Sequence, residues 1–291
     1  MKQTTLLFLK GVLMGICDII PGISGGTIAF ITGIYARLIN AVKGFSPKLV
    51  GDIFRYTIKR NKQGLSALKQ DIKKLDLIFL ITLGAGIATA LLIGSRIITY
   101  LLEHHYVYTI SFFIGLILAS SKAIFDHIER HHTKNIMFGF LGLLIGILLS
   151  ILIPAKITPN IAYIFVGGFL AISAMFLPGI SGAFILLILG IYEFMLSVLH
   201  DILGKLHYFI AFTIGAILGA FSISRAVSFL FKKDKCKTLY VLLGLVIGCL
   251  SIPLKNVCQN TTSWTISNIV VMLLFLILGI LSTTIVTSKR K

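Results

Sequence analysis

The sequence predicts an all-α polytopic membrane protein made of two inverted-topology repeats, each a broken or re-entrant helical hairpin followed by three transmembrane helices. Three observations predict it: an apolar composition, a motif that occurs twice, and a one-sided distribution of lysine and arginine. Of the 291 residues, 57% are hydrophobic and 13% charged, and the mean hydropathy is +0.98. A water-soluble domain carries about 25% charged residues, so most of this chain faces lipid or other protein. That excludes a disordered tail, a secreted disulfide scaffold and an ordinary cytosolic enzyme. The net charge of +17 points to nucleic acid in a soluble protein. In a membrane protein it points to topology and anionic lipid head groups.

Ten apolar stretches follow one another, at about 4–20, 26–42, 77–102, 106–124, 135–153, 160–177, 183–199, 208–231, 238–253 and 265–287. A full helical span needs about 20 residues. The third, fifth, eighth and tenth stretches are long enough, the fourth is close and the ninth is short. The first, second, sixth and seventh are shorter than a span and form two pairs, each broken by a Pro-Gly-rich turn. Short segments around such a turn suit a dip into the bilayer. Non-helical backbone is tolerated there only when buried in protein or lining a wet cavity. Met1–Ile20 has the charge and apolarity of a signal peptide but no small-x-small cleavage site, and it reads as retained structure.

The two turns are copies of one motif. Residues 21–35 read PGISGGTIAFITGIY and residues 178–192 read PGISGAFILLILGIY, with ten of fifteen positions matching at an offset of 157. Further along, Ser95-Arg96 falls on Ser224-Arg225 and Gly115-Leu116 on Gly244-Leu245, at an offset of 129. The chain is thus a tandem duplication. The first repeat is 1–153, with a hairpin at about 4–42, a basic connector at 43–76 and three spans within 77–153. The second is 154–291, with a hairpin at about 160–199 and three spans within 208–287. Each half crosses the bilayer an odd number of times, so the second half is upside down relative to the first, a common transporter design. With the N-terminus in the cytoplasm, the inside loops and termini hold 20 of the 27 Lys/Arg and the outside loops hold three, Lys156, Lys205 and Lys255. This split puts both termini inside. It also removes the nucleic-acid reading, because the excess charge is loop charge that can touch anionic lipid.

Four cysteines show no paired spacing and seven histidines lie mostly in connecting loops, so neither a disulfide framework nor a metal site is expected. His104-His105 reads as solvated loop. No nucleotide-binding motif and no catalytic triad are present, and no cofactor is implied. The informative groups are the few polar ones inside apolar segments, since intramembrane charge is costly. Lys10 and Arg37 read as cytoplasmic interface anchors if the hairpin tips reach the midplane. Glu193 then lies towards the outer interface, as an anchor or a proton-coupling group. Asp18 sits three residues before Pro21. It either accepts hydrogen bonds from free N–H groups at the turn, pairs with a membrane arginine or carries a coupling proton. Its copy in the second half is Met175. Arg96 and Arg225, each behind a serine, fall at mirrored depths, Arg96 in the outer half of the bilayer and Arg225 in the inner half. They either snorkel or pair with carbonyls, or they offer an anion two successive contacts. The arginine fork suits phosphate because it donates two hydrogen bonds and stays charged. The turns add candidates for the same anion. Ser24 and Ser181 are natural N-caps for the outgoing helices, and Gly25, Gly26, Thr27 and Gly182 open those helices, where free N–H groups and the dipole favour negative charge. The bland alternative is that the turns are closely packed hairpin tips.

MGICDIIPGISGGTIAFITGIYARLI (Met14–Ile39) resembles the signature of the PopT-type polyprenyl-phosphate translocases, a bacterial membrane family, and FLPGISGAFILLILGIYEFML (Phe176–Leu196) is similar to the second signature of that family. The resemblance implies a multi-pass protein of the bacterial inner membrane. It would return undecaprenyl phosphate from the outer to the inner leaflet for reuse in cell-envelope synthesis. Its partners would be that lipid and anionic membrane lipids. The residues themselves leave two other readings open, a secondary transporter of a small soluble anion and a non-transporting membrane scaffold.

Overall fold

The computed structural model describes residues 2–20, 22–45, 75–152 and 158–288. Most of the basic connector, Pro21, Lys156 and the last three basic residues lie outside the described residues. The first half contains α1 (Lys2–Ile19), α2 (Gly25–Ile31), α3 (Tyr35–Gly44), α4 (Leu77–Thr89), a π-helical turn at Ala90–Gly94, α5 (Ser95–His104), α6 (Tyr106–Asp126) and α7 (Thr133–Ile151). The second contains α8 (Ile161–Met175), α9 (Gly182–Ile188), α10 (Tyr192–His200), α11 (Leu206–Lys233), α12 (Lys235–Cys249), α13 (Ser251–Asn260) and α14 (Ile266–Ser288). The all-α class expected from the composition is what forms, without a strand among the described residues.

Six segments are long and apolar enough to span a bilayer, three in each half: Leu77–Gly94, Tyr106–Asp126, Thr133–Ile151, Leu206–Lys233, Lys235–Asn260 and Ile266–Thr283. The chain is therefore a multi-pass membrane protein. Their outer faces carry large apolar side chains such as Leu92, Met137, Phe140 and Leu273, as a lipid-facing surface does. The ninth apolar stretch reads short in sequence, but α12 and α13 continue one another, and Lys255, expected in a loop, sits in α13.

The hairpins depart from the straight legs expected at 26–42 and 183–199. Each outgoing leg is broken, with α2 and α3 bent by 114° and α9 and α10 by 115°. The cause is a helix stop written twice. Gly33 and Gly190 take φ of +69° and +67°, a region that glycine enters without steric cost. Gly33 N–H donates to Phe30 O and Ile34 N–H to Ala29 O, while Gly190 N–H donates to Leu187 O and Ile191 N–H to Leu186 O. This 5→2 and 6→1 pattern is a Schellman motif. The entry turns are equally matched, with Gly22 at φ +89° and Gly179 at +92°. Distances measured along an unbroken leg therefore do not hold for Arg37 and Glu193. Arg37, beyond the bend, forms a two-pronged contact with Asp76, its Nη2 3.0 Å from Oδ1, and stacks over Phe79. That contact ties α3 to the start of α4. The Arg37 hydrogen bond holds the Asp76 carboxyl below the usual aspartate range.

Packing repeats the duplication and crosses it. Within each half the first helix lies along the first span, α1 on α4 and α8 on α11. Gly11 meets Gly86 in one pair, and Gly168 and Gly215 lie against the facing backbones in the other. These glycines correspond through the two offsets. The remaining spans are exchanged: α6 packs on α14 and α12 on α7. Gly115 lies against the Leu276 carbonyl in the first pair and Gly244 against the Gly139 carbonyl in the second. Small residues allow such backbone approach where lipid supplies no hydrophobic drive. Neither half of the sequence is a separate packing unit.

Gly33→Ala and Gly190→Ala place a Cβ in the left-handed region and should each cost about 1–2 kcal/mol, read as earlier thermal unfolding in detergent. Gly84→Ala, which meets nothing within 4 Å, is the control and should unfold no earlier than wild type.

Candidate functional site

The two PGISG turns meet in the interior. Gly179 N–H donates to Thr27 Oγ1 at 2.9 Å, Ser24 Oγ donates to Leu177 O at 3.3 Å and Tyr35 Oη donates to Phe176 O at 3.0 Å. A Cβ on Gly26 would lie 2.8 Å from the Met175 carbonyl, so the α2 backbone sits directly on the second turn. Ser24, Thr27 and Ser181 are all buried. The contact is one-sided, because the residue that corresponds to Thr27 is Phe184 and offers no acceptor. The turns are the closely packed tips that the sequence allows, and the first motif supplies the polar groups that satisfy the second.

Asp18 does what a capping serine was expected to do. Its Oδ1 accepts the Gly25 N–H at 2.8 Å, and both carboxylate oxygens fill the space that a Cβ on Gly25 would need. Its Oδ2 is buried without a hydrogen-bond partner among the described residues. Ser24 and Ser181 stand at the N-cap positions of α2 and α9, but neither side chain caps, which corrects that expectation. The Ser24 hydroxyl is drawn to Leu177 O instead, and the carboxylate is the stronger acceptor for an orphan N–H.

The broken ends of α2 and α9 are also served from the first helix of each repeat. Lys10 Nζ donates to Thr32 O at 2.8 Å, and Tyr163 Oη donates to Leu189 O at 3.1 Å. Thr32 and Leu189 are corresponding residues. Lys10 is thus a ligand of a helix C-terminus, which a cation suits. The roles of Lys10, Tyr35 and Tyr163 escape a reading by charge and hydropathy. The GIY tripeptide that recurs in both motifs was the available signal for the two bends.

The arginine pair separates. Arg225, half-buried on α11, donates from Nη1 to Phe221 O at 3.0 Å and from Nη2 to Phe45 O at 3.1 Å. Lys43 Nζ donates to Ser228 Oγ at 2.9 Å nearby, so the end of α3 is clamped along α11. Arg96 is exposed and makes no hydrogen bond or ion pair among the described residues. It follows the π-helical turn at Ala90–Gly94, a distortion common at functional sites. Tyr100 and His104 continue its face of α5, with rings stacked at 4.3 Å. Glu193 is exposed in the first turn of α10, and the structure brings it to neither turn.

Cavities flank the broken hairpins. One of about 380 Å³ lies between α1, α2, α5, α6 and α14, with mostly apolar walls. Another of about 450 Å³, also apolar, lies between α8, α9, α10 and α11. A third, of about 220 Å³ and polar, lies where α5 joins α6 and α13 approaches α14. His105 lines both the first and the third. Neither arginine lines any of these three cavities.

Comparison with known proteins gives a consistent picture. The family described as VCA0040-like, undecaprenyl phosphate translocase-like, matches residues 14–270. A Vibrio cholerae protein named polyprenyl-phosphate transporter is 35% identical over 261 residues, covering 90% of this chain and 80% of that protein. A Staphylococcus aureus protein of the same name is 28% identical over 286 residues, covering 92% of this chain and 93% of that protein. No solved structure matches.

Thr27→Val leaves the Gly179 N–H buried without an acceptor and should cost about 1–3 kcal/mol, while Thr27→Ser keeps the bond. Thermal unfolding of the two variants in one detergent separates them. Equal loss in both would show that the hydroxyl is not the group that matters.

Proposed function

The chain belongs to the undecaprenyl phosphate translocase-like family, and from that membership we propose that it carries undecaprenyl phosphate from the outer to the inner leaflet of the bacterial cytoplasmic membrane, for reuse in cell-envelope synthesis. The observation that carries the reading is the family match, which spans both copies of the turn and five of the six long helices in full. Apolar cavities beside both hairpins support a lipid cargo over a small soluble anion. The relatives' names support transport rather than catalysis.

In this reading the repeats are inverted, with boundaries near residue 153, and both termini are cytoplasmic. The basic loops lie on anionic lipid. The phosphate meets Arg96 from the outer leaflet, passes the turns at Ser24–Thr27 and Ser181-Gly182, and leaves near Arg225. The polyprenyl tail stays in lipid and apolar cavity, so only the head group crosses protein. Asp18, with one oxygen unpartnered among the described residues, and Glu193 are the groups available to hold a coupling proton.

Losing a charge-assisted contact of about 1.5–3 kcal/mol corresponds to roughly 10- to 100-fold. Arg96→Ala is expected to slow undecaprenyl phosphate transport in proteoliposomes by that factor with folding unchanged. Transport at the wild-type rate would remove Arg96 from the pathway. At the level of the cell, depletion of the protein should make undecaprenyl phosphate accumulate on the outer face, and no accumulation would overturn the function itself.

A further inference from the structure

Two of the cavities adjoin at one end of the helical bundle. The polar one is walled by Glu103, His104 and Tyr108 on one side and by Asn260 and Asn268 on the other. The apolar one runs inward past Leu13, Ile31, Phe112 and Phe113. His105 belongs to the walls of both. We propose that together they form an amphipathic loading site for a single-chain isoprenoid phosphate, with the phosphomonoester beside His104 and His105 and the first isoprene units in the apolar chamber. This deepens the reading that the chain carries polyprenyl phosphate and rests on it.

The chamber is dry by construction. Its hydroxyls are consumed by backbone carbonyls: Thr32 Oγ1 donates to Ile28 O, Thr109 Oγ1 to His105 O, Ser282 Oγ to Gly279 O and Thr283 Oγ1 to Gly279 O. Apart from the Cys17 thiol and His105 at the mouth, no donor among the described lining residues is left to orient a polar ligand there, whereas hydrocarbon needs none. At roughly 30 Å³ per small group, the share of a water molecule in the liquid, about 380 Å³ holds a dozen or so carbon atoms, two to three isoprene units. One narrow chamber takes one chain, which suits a polyprenyl lipid and not a diacyl lipid. The wall at Phe275 is 37% exposed, so the rest of a long chain leaves into the bilayer there.

The mouth has the chemistry for a phosphate. His104 Nδ1 lies 3.0 Å from Tyr100 O, and a carbonyl only accepts, so Nδ1 carries a proton and Nε2 is the nitrogen left for a ligand. The His105 side chain is exposed and makes no hydrogen bond among the described residues. A ring N–H of His105 can donate to a phosphate oxygen. The opposite wall is fixed, with Tyr108 Oη donating to Asn268 Oδ1 at 3.1 Å and Asn268 Nδ2 donating to Ser263 O at 3.0 Å. Glu103 is the one carboxylate in the mouth and opposes the anion.

The test uses the full chain in liposomes, undecaprenyl phosphate as transported lipid, and short-chain or inorganic competitors. Farnesyl phosphate, with three isoprene units, is expected to compete at a concentration at least about tenfold lower than farnesol or inorganic phosphate, since it alone fills both parts. The double variant His104→Ala/His105→Ala should raise the half-saturating concentration of undecaprenyl phosphate by about tenfold, with the maximal rate within about twofold. Glu103→Gln should lower it. Leu13→Trp, at a wall position that also faces lipid, should abolish competition by farnesyl phosphate. Unchanged half-saturation in the histidine variant, or inorganic phosphate competing as well as farnesyl phosphate, would overturn the loading site. If wild-type protein moves no undecaprenyl phosphate, the transport reading fails. If wild type transports and all variants match it, the loading site alone fails.

Discussion

A helix that breaks inside an apolar protein leaves N–H and C=O groups with no water to receive them, and each such group costs a few kcal/mol unless another protein group replaces the lost partner. Among the described residues, the helices break in that setting between α1 and α2, between α2 and α3, between α8 and α9 and between α9 and α10. Many polar groups of the interior answer one of those breaks. Asp18 takes the Gly25 N–H, Thr27 takes the Gly179 N–H, and Ser24 and Tyr35 supply donors to Leu177 and Phe176. Lys10 and Tyr163 supply donors to the two broken helix ends. The rest of the fold follows from holding these partners in place. Each first helix lies along its span at glycine contacts close enough to fix the donor, and the third span of each half crosses over to pack on the second span of the other half.

The duplication is deepest in the backbone and shallowest in the side chains. Four glycines with positive φ recur at corresponding positions, to within a few degrees. Four of the groups that satisfy the breaks, Lys10, Asp18, Thr27 and Tyr163, do not recur. Lysine serves one broken end and tyrosine the other. An aspartate caps the first turn where the second half has Met175, and Thr27 has become Phe184. Backbone conformation is dictated by sterics that any copy must respect, whereas a buried N–H accepts any well-placed partner. Divergence therefore accumulates in the partners, and the turn contact is asymmetric although its two halves fold alike.

This difference explains what was legible in the sequence. Hydropathy and the internal repeat gave the helical class, the three spans in each half and the position of both turns, because span length and period are properties of local sequence. The bends at Gly33 and Gly190 were legible in principle, since a glycine closing an apolar run twice is a helix stop. They were overlooked because an apolar stretch of the right length also reads as one straight leg. The capping pattern was not legible. Ser24 is the better N-cap by propensity, and only the fold brings the Leu177 carbonyl to its hydroxyl and Asp18 to the Gly25 N–H. His104-His105 looked like solvated loop because nothing near it in sequence announces Asn260 and Asn268 on the facing wall.

The two arginines show how identical dipeptides acquire different capacities. Arg225 is already engaged. The bend at residues 32–34 lays α3 along α11, and the end of α3 delivers Phe45 O to the guanidinium, with Phe221 O as the second acceptor. The corresponding helix α10 makes no comparable contact with α5, so Arg96 receives no such carbonyl. An anion that binds Arg225 must compete with two existing hydrogen bonds, each worth about 1.5–3 kcal/mol to a charged donor. An anion that binds Arg96 displaces no bond formed among the described residues and offsets a charge held at an apolar surface, where leaving it unpaired is costly. The net gain on binding is thus larger at Arg96 than at Arg225. The asymmetry comes from where a neighbouring helix was bent, and not from the arginines themselves.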